Sequence, residues 1–294
     1  MTVVHDLTKL AVSENVDKLA IDVRDASDTI QEVRLNQRER EIRNWLSAPD
    51  PTINYKNALE KRHKGTGSWF TGSQAFADWK KQPNSFLWLH GISGCGKTVL
   101  SSTIIEHLNS ISTPAHVLLY FYFDFNDKDK QTLDGMLRSL VSQLYQGWPN
   151  TRESLEQLPE VPSRRNQQLS QEPLKNVLLT MLSKVNNVSI VLDALDESTT
   201  RDDLLAWMRS VLEAKFCGCR VLVTARRHVD IESALQRWTR LEDRISIQQD
   251  DVDGDIRSYV IHTVRNSKEL ERWHKVPEVQ EEIEIELVNT ADGM

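Results

Sequence analysis

Residues 91 to 98 read GISGCGKT and fill every fixed position of the pattern G-x-x-x-x-G-K-[ST]. Gly91, Gly94 and Gly96 let the backbone fold into a nest whose N–H groups point at phosphate oxygens, reinforced by the N-terminus of a following helix. Side chains at those glycines would obstruct the nest. Lys97 would set its ammonium on the β- and γ-phosphates, and the Thr98 hydroxyl would ligate magnesium, which keeps water and phosphate oxygen as its other ligands. Ile92, Ser93, Cys95 and Val99 complete the stretch expected to wrap the phosphates, and Cys95 occupies a free position of the pattern.

Such a loop needs an acid at the end of a neighbouring strand, where parallel sheets place their ligands. SIVLDALDES, residues 189 to 198, supplies Asp193 directly after an apolar run. Asp193 is therefore the expected magnesium acid, acting through water, with Thr98 as its partner. In many NTPases with this loop, a glutamate directly after that acid polarises the attacking water, but this chain has Ala194 there. The task falls to Asp196 or Glu197, which would hold water less ideally and suit a slow timer better than a fast motor.

The elements that must position these groups follow from periodicity. FLWLH (86–90) is a compact apolar run leading into the glycine-rich turn, and a helix is expected from Lys97 to Asn109 with Leu100, Ile104 and Leu108 on one face. Strands are expected at 117–125, through Asp193, at 220–226 and at 244–248, and helices at 133–145, 173–185, 202–214 and 230–238. Alternating strands and helices predict an α/β P-loop NTPase fold, three layers with a mainly parallel five-stranded sheet. This core spans 85–250. A connector at 37–84 leads into the nucleotide site, and 251–294 begins a charged helical segment that looks incomplete at NTADGM. Residues 1–36 form a helical leader whose apolar stripe runs Val16, Leu19, Val23, Ala26, Ile30 and Val33. That stripe packs on its own domain or offers residues 16–33 to a helical effector partner.

Bulk properties narrow the field. With 36 Lys plus Arg against 43 Asp plus Glu, the net charge of -7 argues against nucleic acid as a partner. The cysteines, Cys95, Cys217 and Cys219, provide neither a disulfide framework nor a zinc pattern, which points to a reducing compartment. The longest apolar run, HVLLYFYF at 116–123, is too short to span a bilayer, so no membrane partner is expected and the localisation is read as cytoplasmic.

These motifs and their flanks resemble the NACHT family of signal-transducing P-loop NTPases, particularly its fungal members. KRHKGTGSWF, SFLWLHGISGCGKTVLSSTIIEHL, YFYFDFND and SIVLDALDES are similar to its successive blocks, and CRVLVTARRHVDI to the block that follows. The last differs, because Thr224-Ala225-Arg226-Arg227 stands where the family has T-S-R-P. The resemblance implies that Arg226 senses the γ-phosphate, with Arg227 as a rival, from a strand lying between the phosphate-loop strand and the Asp193 strand. It places Thr66 of the GTG at 65–67 near base or ribose, although an ordinary turn before Trp69 and Phe70 fits equally. Asp124 either approaches the site or caps its own turn, and His90 is read as packed.

The family reading is a molecular switch. It binds and slowly hydrolyses ATP with Mg2+, holds a closed state with the diphosphate, and forms a homo-oligomer when the triphosphate opens it. GTP and GDP stay open, since the guanine motif N-K-x-D is missing and its nearest string, NDKD at 126–129, misplaces the lysine. The alternatives are a nucleotide-binding scaffold with negligible turnover and a small-molecule phosphotransferase.

Overall fold

The computed structural model describes residues 33, 37–113, 115–158, 170–214 and 218–291. The chain divides into two units, Met1–Ser47 with Glu160–Gln168, and Ala48–Pro159 with Leu169–Met294. In the first, helix α1 covers 37–46 and buries Ile42 and Leu46, one turn apart on a single face. The Val16 to Val33 stripe lies outside the described residues, apart from Val33.

The second unit opens with α2 (Thr52–Lys61), α3 (Ser68–Thr71) and α4 (Gln74–Lys81). Ser73 caps α4 by accepting from the Phe76 N–H at 3.2 Å, and the Trp79 indole N–H donates to the Val221 carbonyl at 3.2 Å. The alternation then begins: β1 (Phe86–His90), α5 (Lys97–Ser110), β2 (Val117–Tyr122), α6 (Leu133–Gly147), α7 (Arg152–Glu156), α8 (Gln171–Ser183), β3 (Val188–Asp193), α9 (Arg201–Ala214), β4 (Arg220–Ala225), α10 (Val229–Leu235) and β5 (Arg244–Ser246). Two helices follow, α11 (Gln249–Asn266) and α12 (Pro277–Ala291), joined by a 3-10 segment and tied by Arg265, which forks onto Glu284 at 2.8 and 3.1 Å. Among the described helices none is long and apolar enough to cross a membrane.

All five strands run parallel in the order β2-β3-β4-β1-β5, as the α/β expectation requires. β4 lies between β1 and β3, so the strand that leads into the glycine loop and the Asp193 strand flank the strand ending at Ala225. Every residue of β3 is buried, because helices cover both faces and no solvent face remains to accept alternating polar residues. α5 lies among β2, β3 and β4, so its Leu100, Ile104, Ile105 and Leu108 are buried with Leu222, Val191 and Phe76.

The expected strand at 117–125 is shorter than the sequence suggests. Phe123 makes one further bond, N–H to the Asp193 carbonyl at 3.0 Å, and then the chain leaves the sheet. Asp124 accepts from its own turn, at Asn126 N–H, and from the Asn54 amide at 3.0 Å, so an Asx turn ends the strand despite its apolar run.

Leu222 has no solvent exposure, at the centre of the sheet, whereas Leu241 is 80% exposed. Leu222→Ala is expected to cost about 2–5 kcal/mol in chemical denaturation, and Leu241→Ala less than about 0.5 kcal/mol.

Candidate functional site

The turn from β1 into α5 is built on glycine. Gly94 and Gly96 sit at φ of 84° and 81°, a left-handed backbone that side chains disfavour. A Cβ at Gly91 would fall 2.6 Å from the Cys95 sulfur, which is why the loop closes so tightly on itself. Gly96 is the N-cap of α5 and has no side chain to satisfy the first N–H groups, so the helix presents them to the loop. The Lys97 ammonium folds back and donates to the carbonyls of Gly91 at 3.0 Å and Ile92 at 2.5 Å.

Asp193 ends β3 with its carboxylate 2% exposed. Three hydroxyls replace the water it lacks. Thr98 donates to Oδ2 at 2.8 Å, and Ser101 and Thr224 each donate to Oδ1 at 2.6 Å. Burial raises its pKa, while these three bonds and the nearby Lys97 pull it back down. The Thr98 hydroxyl and the Asp193 carboxylate, 95 residues apart in the chain, thus form a pair of hard oxygens beside the loop. That donor set fits Mg2+, which is held in phosphate sites by one or two protein oxygens rather than an all-protein cage.

Past Asp193 the backbone turns sharply. Ala194 takes φ 55° and ψ 46°, a left-handed conformation worth roughly 1–2 kcal/mol of strain for a residue with a side chain. Its N–H donates to Thr224 Oγ1 at 3.0 Å, so the hydroxyl that holds Asp193 also holds the turn. The 3-10 turn Leu195–Glu197 follows. Asp196 is buried, with both oxygens engaged by one residue: Arg226 donates its backbone N–H to Oδ1 at 2.9 Å and its Nε to Oδ2 at 2.5 Å. Glu197 accepts the Phe125 N–H at 2.9 Å, and burial, then the neighbouring acids Asp196, Asp124 and Asp193, raises its pKa. Of the two water-activating candidates, Asp196 is spent on Arg226 and Glu197 is the less committed.

The arginines separate cleanly. Arg226 turns toward the acid-bearing turn, while Arg227 forks onto Glu232 of α10 at 2.8 Å on both nitrogens. His90 packs against Trp88 with ring centroids 4.5 Å apart at a tilt of 44°, and burial lowers its pKa. Thr66 lines a cavity of about 630 Å³ together with Gly94, Gly96 and Val99 from the loop side and residues of α11. The structure therefore gathers Gly94, Cys95, Gly96, Val99 and Thr66 around one cavity, links Thr98, Asp193, Thr224 and Ala194 by hydrogen bonds, and pairs Asp196 with Arg226 beside them.

Two hydroxyls that hold Asp193, those of Ser101 and Thr224, are given no partner by the sequence motifs. Ser101 lies three positions after Thr98, on the same helical face, so its spacing alone could have flagged it. Thr224 is marked by the T-S-R-P block, but its partner is not, because only strand pairing brings it to Asp193. Thr224→Val leaves both the Asp193 carboxylate and the Ala194 N–H short of a partner. It should cost about 2–4 kcal/mol in thermal or chemical denaturation, against about 1–2 kcal/mol for Ser101→Ala, which removes a single donor.

No curated protein matches the chain. A family model does: Nephrocystin 3, N-terminal, matches residues 65–226, more than half of the chain. The matched stretch begins at the GTG turn and ends on Arg226, taking in the loop, Asp193 and Thr224. The chain belongs to the nephrocystin 3 N-terminal domain family.

Proposed function

We propose that the chain is a nucleotide-dependent molecular switch of the NACHT type, binding ATP or GTP with Mg2+ and hydrolysing it slowly. The observation that carries this reading is the 2.8 Å bond between Thr98 and Asp193 at the carboxyl edge of a parallel sheet, next to a glycine loop that ends in Lys97. Bound magnesium would supply charge neutralisation between the phosphates, with Thr98 and Asp193 as its protein-side holders. Lys97 exchanges its carbonyl partners for phosphate oxygens. Arg226, its side chain 47% exposed, is positioned to exchange Asp196 for a γ-phosphate, since only one of the two anions can take the Nε at a time. That exchange would bias the turn 194–197 by nucleotide state, and homo-oligomerisation of an intracellular signalling protein is the proposed readout, as in the fungal proteins the motifs resemble.

Turnover is the open half of the reading. Ala194 carries no carboxylate, and Asp196 keeps one oxygen on the Arg226 backbone N–H even after the guanidinium leaves, so Glu197 is the stronger candidate of the two acids to orient water. The same facts favour a second reading, a nucleotide-binding scaffold in which bound nucleotide stabilises the fold with negligible hydrolysis.

Single-turnover hydrolysis of labelled ATP and GTP separates the two. Parent protein should release phosphate, Glu197→Gln should bind nucleotide normally and slow release by about 10²-fold, and Lys97→Ala should lose binding. If the parent releases no more phosphate than Lys97→Ala, the scaffold reading stands. A general base must be ionised, and burial pushes the Glu197 carboxyl up from its ordinary value. The hydrolysis rate should therefore rise with pH along a limb centred higher than for an exposed glutamate. The limb should vanish in Glu197→Gln.

A further inference from the structure

The cavity between the glycine loop and α11 is walled mainly by aliphatic and aromatic side chains, among them Trp69, Leu100, Val252, Ile256 and Tyr259. One anionic group enters this surface. Among the described residues Asp255 is the only carboxylate lining it. Its Oδ2 accepts the Gly67 N–H at 2.7 Å, across 188 residues of chain. Gly67 has φ 76°, and a Cβ there would fall 2.8 Å from a Leu100 methyl group of α5, so the turn packs closely on that helix. Asp255 is thus pinned by one oxygen to the GTG turn. Burial raises its pKa, and bonds from Gly67 and Trp69 lower it.

A carboxylate in an apolar cavity is costly unless its remaining lone pairs find donors. The cavity opens on Gly94, Gly96 and Val99, so a nucleotide whose phosphates lie on the loop would place its base among these walls. From this we infer that Asp255 is a specificity-determining residue, accepting an N–H on the edge of a purine base. This rests on the nucleotide reading above and deepens it. Adenine offers its exocyclic amine and guanine its ring N–H with the adjacent amine. A purine with hydrogen at those positions offers neither, although its stacking surface and phosphates are the same. Asp255 belongs to α11, outside the family-matched stretch, so base reading would reach beyond the core that the match covers.

The test is equilibrium binding of the magnesium complexes of ATP, GTP, purine riboside triphosphate and tripolyphosphate to parent and Asp255→Asn protein. Asn keeps an oxygen for the Gly67 N–H and turns the other position from acceptor to donor, which opposes the amine. Parent protein should prefer ATP or GTP over purine riboside triphosphate by about tenfold or more, and the favoured one identifies the base. Asp255→Asn should bring that ratio below about twofold and leave tripolyphosphate binding unchanged. Equal parent affinity for all three triphosphates, with tripolyphosphate bound, overturns the inference and spares the phosphate loop. Failure of the parent to bind tripolyphosphate overturns both. Should Asp255→Asn not fold, the parent ratio decides alone.

Discussion

A carboxylate almost without solvent costs several kcal/mol unless protein groups replace the lost water. Asp193 meets that demand with hydroxyls from two places, Thr98 and Ser101 on α5 and Thr224 on β4. Those elements flank β3, so satisfying one side chain fixes the helix after the loop and the neighbouring strand relative to the acid. The Thr98–Asp193 pair, the strained turn at Ala194 and the placement of Arg226 all follow from that arrangement. A hydrophobic residue at 193 could fill the same volume, but it would leave Ser101 and Thr224 buried without an acceptor.

Thr224 connects the end of β3 with the turn that follows it. Its hydroxyl donates to Asp193 and accepts from Ala194, using both capacities of a single oxygen. Two residues further along, Arg226 holds Asp196 through backbone and side chain together. The end of β4 therefore grips the end of β3 at two successive points. The backbone contact does not depend on the guanidinium, so the strand ends stay tied wherever the side chain turns. A small residue stands at 194 because a β-branched side chain at φ 55° would be a severe outlier.

The second unit combines this rigid sheet edge with a helical pair, α11 and α12, that closes the cavity from outside the family-matched stretch. The contact that joins α11 to the GTG turn is polar and partly buried, through Asp255 and Gly67. Contacts of that kind are geometrically demanding and reversible, in contrast to the apolar burial that locks α5 against β3.

Much of this was legible in the chain itself. Fixed spacing in GISGCGKT, together with an apolar run ahead of it and a helical stripe behind it, determines a strand, a glycine turn and a helix, because left-handed turns and 3.6-residue stripes are local properties. Asp193 at the end of SIVLD is legible for the same reason. The strand at 117–125 was overread, since Asp124 ends it by a turn that competes with apolar periodicity. Which acid faces Arg226, how Thr224 joins two strands and how Asp255 comes to line the cavity were decided by tertiary structure alone. Each depends on contacts spanning between 30 and 188 residues, and no local pattern encodes which distant partner a buried polar atom will find.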